Sequence, residues 1–207
     1  YLSQPDSLPA DAFAYWMPLS SLLAAAGMFV LRSTDYYAAR MLFILLAGTI
    51  PLLAAWIGAK LFPWRGSGWL AGCSALFSVY YLPYMTITDS FTPIMVLGGL
   101  FVIIAYKIWQ TWNSNTAKWY WFLFFGIVSG LIHLTRADGV LWTILGIILI
   151  GSIWLKGKCS QPKIKGPLIP IILFISGYVV IMTGWFGRNV LTFQSLIPPG
   201  NGSLIWA

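Results

Sequence analysis

Between Gly68 and Tyr106 the chain carries a single formal charge, Asp89. One helix over that stretch would be roughly 58 Å long, nearly twice the hydrocarbon thickness of a bilayer. A membrane helix needs only about 20 apolar residues. The stretch is therefore expected to fold back on itself, with Asp89, between Pro83 and Pro93, marking the bend. The same reasoning applies from Trp119 to Leu155, where Thr135-Arg136-Ala137-Asp138-Gly139 interrupts the apolar run. A further span is read from Met41 to Phe62, ending at Lys60, Pro63 and Arg65. The last runs from about Pro167 to Phe186 and ends at Gly187-Arg188-Asn189.

These readings predict an all-α, polytopic transmembrane bundle of about six crossings. Composition agrees, with 59% hydrophobic and 8% charged residues and a mean hydropathy of +0.81. Soluble domains carry about 25% charged residues.

The charges are sorted along the chain. All five acidic residues are aspartates: Asp6, Asp11, Asp35, Asp89 and Asp138. Every lysine (Lys60, Lys107, Lys118, Lys156, Lys158, Lys163 and Lys165) falls in the gaps between them. Counting crossings places the lysines on one side and the aspartates on the other, which is the bias that orients membrane helices. The lysine loops are expected in the cytoplasm and the Asp89 and Arg136 hairpins outside, in a multi-pass protein of the plasma or inner membrane. A net charge of +7 invites a nucleic-acid reading, but no basic patch lies outside those loops, so nucleic acid is excluded as a partner. Cys73 in a span and Cys159 in a lysine loop are too far apart for a disulfide, and neither has metal-binding spacing.

The segment from Pro18 to Leu31 is short and rich in Ser, Ala and Gly, between Asp11 and Asp35. It reads as a helix lying at the outer interface, with a re-entrant or short crossing helix as the alternative. The division is 1–40 outer loop and interfacial helix, 41–188 membrane bundle, and 189–207 outer loop, all read as part of one domain of a longer protein. Most aromatics cluster near span ends, as in an interfacial belt. Gly126-Ile-Val-Ser-Gly130 is a small-residue packing motif. Asn201-Gly-Ser203 matches a glycosylation acceptor pattern and carries little weight.

Chemistry is expected on the acidic side. Asp89 is costly at membrane depth unless it faces water or a cation, and it would equally serve as a cap for the next helix. Arg136 could grip phosphate bidentately or pair locally with Asp138. Arg32, Arg40, Arg136 and Arg188 share that side without a lysine, against the orienting bias, which calls for anionic partners. His133 is a possible accessory residue, as are Trp16 and Pro18.

The order of these pieces resembles the GT-C glycosyltransferases. More narrowly it resembles the polyprenyl-phosphate-dependent group of protein O-mannosyltransferases and the aminoarabinose transferase of lipid A (glycosyltransferase family 39-like). The pieces are Tyr15-Trp-Met-Pro-Leu19, Ala38-Ala-Arg40, Thr88-Asp89-Ser90, Leu134-Thr-Arg136 and Trp185-Phe-Gly-Arg-Asn189. Each is short; their order over nearly the whole chain carries the resemblance. It implies an extracytoplasmic active site, a polyprenyl-phosphate sugar as donor, and a glycan, lipid or protein as acceptor. It makes Asp89 the second acidic position, near the acceptor or a bound divalent cation, with the first acidic motif expected upstream of Tyr1. Arg136, Arg40 and Arg188 become donor-phosphate contacts. Many relatives have a basic residue and a second proline where this chain has Trp16 and Met17, so the resemblance implies no phosphate contact from that position. No resident cofactor is implied. A transporter or flippase of lipid-linked sugars, and a non-catalytic membrane scaffold, remain the alternatives.

Overall fold

Helix length sorts the elements. The computed structural model describes residues 17–78, 84–113, 116, 118–156 and 167–196. Within them the chain forms α1 (Leu19–Leu31), α2 (Tyr36–Leu61), α3 (Ser67–Leu76), α4 (Phe91–Asn113), α5 (Trp119–Thr135), a 3₁₀ turn (Ala137–Gly139), α6 (Val140–Lys156) and α7 (Leu168–Phe193). No strand occurs among the described residues. Four segments are long and apolar enough to cross a bilayer: Tyr36–Leu61, Phe91–Trp112, Ala137–Leu155 and Leu168–Phe193. The other two expected spans are shorter: α5 has 17 residues and α3 only ten.

The two predicted hairpins differ. At Arg136 the fold-back is tight, α5 and α6 being separated only by the 3₁₀ turn and its flanking Arg136. At Asp89 it is not, because α3 ends at Leu76 and α4 begins at Phe91. Asp89 and its flanking prolines marked the bend in that stretch, and α3 ends at Leu76 without a charge or a proline.

Helix pairs run parallel at two places, and this dictates the path between them. Ile50 of α2 packs with Val96 of α4, Leu53 of α2 lies against Gly99, and Trp56 meets Tyr106 edge-on. The rising numbers on both helices make α2 and α4 parallel. The intervening chain must return along the bundle, and α3 begins that return by packing antiparallel on α2. In the same way Gly126 of α5 meets the Phe174 carbonyl of α7, and Gly130 meets Tyr178 and Ile181. Here α6 supplies the return.

Small residues permit these contacts. A Cβ on Gly126 or Gly177 would overlap the backbone carbonyl of Phe174 or Leu123, so α5 and α7 touch main chain to main chain, as small-residue membrane interfaces do. The Gly126–Gly130 motif therefore packs as predicted. Between α2 and α3, a Cβ on Gly58 would come within 2.7 Å of the Ala71 Cβ. Ser67 Oγ donates to the Gly58 carbonyl at 2.9 Å across the same contact.

The core lies among α4 to α7, where Phe101, Ile108, Phe122, Phe125, Ile132, Ile150 and Phe174 are buried together. The Phe101 and Phe125 rings meet at a tilt, 4.3 Å between centroids. Ser129 and Thr143 share a hydrogen bond of 2.9 Å inside it, between α5 and α6. Outside the core, Phe29, Leu52, Leu155 and Leu191 are largely exposed. That is what lipid-facing helices present, since lipid solvates such side chains as well as a core does.

Helix α1 ends with Arg32 in the left-handed region, φ 52°. The Ser33 N–H reaches the Met28 carbonyl and the Arg32 N–H that of Phe29. This is a Schellman ending with arginine where glycine is usual. At the other end α7 runs to Phe193, about two turns past the predicted stop at Phe186, so Arg188 and Asn189 are helical.

Candidate functional site

Parallel packing of α2 on α4 and of α5 on α7 brings Arg40, Asp89, Arg136 and Arg188 to one end of the bundle. Lys60, Lys107 and Lys118 lie toward the other, on the far parts of α2 and α4 and at the start of α5. Three of the aspartates, Asp35, Asp89 and Asp138, are described, and all lie at the arginine end. Trp16, Asp6, Asp11, Cys159, Lys158, Lys163, Lys165 and the Asn201 sequon lie outside the described residues, as does the Lys156 side chain. Cys73 is free and exposed.

Asp89 sits two residues before α4 and is half-buried. Its Oδ1 accepts the Ser90 N–H at 2.6 Å, which closes the bend without reaching into the first turn of the helix. Ser90 occupies the cap position, its carbonyl accepting the Ile94 N–H at 3.1 Å. The Asp89 carboxylate makes no ion pair among the described residues. The loop around it is tied down on both sides. Thr92 Oγ1 donates to the Met85 carbonyl, and Arg40 grips Thr86, its Nε donating to the carbonyl at 2.7 Å and its Nη2 to the hydroxyl at 2.8 Å. Arg40 also lies over the Tyr36 ring at 5.3 Å. Its Nε and Nη2 thereby hold the Asp89 loop.

Arg136 ends α5 and closes on Asp138, Nε to Oδ1 at 3.1 Å and Nη2 to Oδ2 at 3.2 Å. Both side chains are well exposed, 40% and 53%. His133, one turn earlier, shares a 2.6 Å hydrogen bond from Nδ1 with the Tyr178 hydroxyl, with the two rings stacked. Gly139 leaves no room for a Cβ against the His133 backbone, which presses the turn onto α5. Arg188 lies over the Trp185 ring at 5.0 Å and the Phe193 ring at 5.7 Å, and its Nη1 donates to Asn189 Oδ1 at 3.3 Å. Asn189 is fully buried and donates to the Leu196 carbonyl at 3.2 Å.

Two groups result, joined by α1. Met17 and Leu19 pack against Leu134, Met182 and Trp185, while Gly27 lies against the Ala38 carbonyl. Eight residues of helix, about 12 Å, separate those contacts. Pro18 is the residue at which α1 starts, its carbonyl accepting the Leu22 N–H. No cluster of three His, Cys or Asp side chains occurs among the described residues, so Asp89 would hold a cation only with ligands from elsewhere.

Sequence reading missed Thr86, Tyr178 and the cradle of Trp185 and Phe193. Tyr178 sits inside an apolar helix, and only the register of α5 on α7 reveals its partner. The Arg40–Thr86 contact spans 46 residues and leaves no local trace.

Comparison with protein-family models, curated proteins and solved structures finds no match at any of the three levels. Fold and site together define an all-α protein with four helices long and apolar enough to span a membrane.

Proposed function

We propose that this chain belongs to a membrane glycosyltransferase of GT-C type, moving a sugar from a polyprenyl phosphate to an acceptor on the extracytoplasmic face. One observation carries the reading: Asp89, Arg136 and Arg188 gather at one end of an apolar bundle whose described lysines lie toward the other. The two parallel helix pairs support six traversals, with α3 beginning the second. Lysine loops would then face the cytoplasm of a plasma or inner membrane.

In the reaction the acceptor oxygen attacks the anomeric carbon, the bond from that carbon to the phosphate oxygen breaks, and polyprenyl phosphate leaves with the electron pair. The hydroxyl proton passes to a carboxylate acting as base, expected upstream of Tyr1 by the resemblance. Asp89 would orient the acceptor or hold a divalent cation. Arg188, presented between two rings, would stabilise the charge growing on the phosphate. Arg136 would have to leave Asp138 to do the same. That exchange is cheap, because exposed ion pairs contribute only about 0–1 kcal/mol. Arg40 serves the site by positioning the Asp89 loop.

The half-length α3 favours the runner-up, a transporter of lipid-linked sugars, since such proteins use interrupted helices. One assay separates the readings. Full-length protein, wild type and Asp89→Asn, is incubated with labelled polyprenyl-phosphate sugars and mixed acceptors. Transfer by wild type that falls on substitution is expected. Donor moved between leaflets chemically intact would favour the transporter, and undiminished transfer by the variant would remove Asp89 from the mechanism.

A further inference from the structure

A groove of about 530 Å³ opens on the outside of the bundle toward its lysine end, well away from Asp89 and Arg136. Leu52, Leu53 and Trp56 of α2, Ile103 and Lys107 of α4, and Trp121 of α5 line it. It exists because α2 and α5 both pack on α4 and leave a furrow beside it. Its size is within the range of sites that enclose small organic ligands. Thr49 at its upper end is satisfied internally, donating to the Leu46 carbonyl at 2.7 Å, so its hydroxyl needs no partner from an occupant.

The one formal charge on the groove is Lys107. It is exposed and forms no ion pair among the described residues. Its neighbours at that end, Lys60, Arg65 and Lys118, are cations too, and every described carboxylate lies at the opposite end. Trp56 meets Tyr106 edge-on at 6.0 Å beside it, and such rings favour headgroup depth. An apolar slot about 10 Å long between Thr49 and Trp56, with an unneutralised ammonium at its headgroup end, matches one chemical class.

We infer that this groove binds one anionic diacyl phospholipid, with an acyl chain along Leu52, Leu53 and Ile103 and the phosphate on the Lys107 ammonium. The site goes beyond the transferase reading and does not depend on it. It requires only that the bundle sits in a bilayer.

Native mass spectrometry of the full-length protein in mild detergent tests this, with equimolar phosphatidylglycerol and phosphatidylcholine of identical chains. Wild type should retain phosphatidylglycerol about fivefold over phosphatidylcholine, the equivalent of about 1 kcal/mol for one lysine at an anionic surface. Lys107→Gln should abolish that preference. Leu52→Trp, at a residue 70% exposed, should block the slot and lose the lipid with Lys107 intact. Lys60→Gln, which does not line the groove, should behave as wild type. Equal retention of the two lipids by wild type would overturn the proposal. So would an unchanged preference in Lys107→Gln, unaltered retention in Leu52→Trp, or a loss in Lys60→Gln as large as in Lys107→Gln.

Discussion

Arg40, in the second turn of α2, holds Thr86 by two hydrogen bonds from one guanidinium, to the carbonyl and to the hydroxyl. This fork fixes the bend that carries Asp89 to the start of α2. A planar guanidinium reaches both acceptors at once, and a lysine ammonium on a flexible stem does not reproduce that geometry.

Arg40→Lys should therefore loosen residues 84–90 without unfolding the bundle. Hydrogen bonds to charged groups contribute about 1.5–3 kcal/mol, so local opening should become at least roughly tenfold more frequent. Amide hydrogen exchange of that loop reads it. Unchanged protection would show that the loop is held by something else.

Glycines on α7 should divide by what their Cβ would meet. Gly177→Ala pushes a methyl into the Leu123 carbonyl of α5 and should cost about 1–3 kcal/mol or more. Gly184 has nothing within 4 Å, so Gly184→Ala should be neutral or stabilising by up to about 1 kcal/mol. Thermal unfolding in detergent compares the two. Equal effects would mean that α5 and α7 do not touch through their backbones.

The Ser129–Thr143 hydrogen bond is suited to a double-mutant cycle. Either Ser129→Ala or Thr143→Val strands a buried hydroxyl, while the double variant removes both. A coupling of about 0.6 kcal/mol is expected, the usual size inside membrane bundles. Strict additivity would place the two hydroxyls out of contact.

Asp138→Asn and Arg136→Gln should part company. As an exposed pair their loss costs stability under about 1 kcal/mol either way. On the proposed reaction, Arg136→Gln should slow transfer on the order of a hundredfold, whereas Asp138→Asn should leave it unchanged or faster, by freeing the guanidinium. Equal slowing by both would assign the pair a purely structural role.

The long apolar runs and the sorted lysines and aspartates were legible in the chain, because membrane insertion responds to local composition. So were the Arg136–Asp138 pair and the Gly126–Gly130 contact motif, whose signals lie within a few residues. The end of α3 at Leu76 and the extension of α7 through Arg188 to Phe193 were not, because neither boundary coincides with a change in charge. The hold of Arg40 on Thr86 was not legible either, because its partner lies 46 residues along the chain.

Residue content and order alone make this protein helical, suited to lipid, and charged differently at its two ends, since desolvation acts residue by residue. Which helices run parallel, and so that Asp89, Arg136 and Arg188 share an end, follows from the packed bundle. Close helix approach depends on glycines on one helix meeting bare carbonyls on another, and that register exists only once the helices are packed.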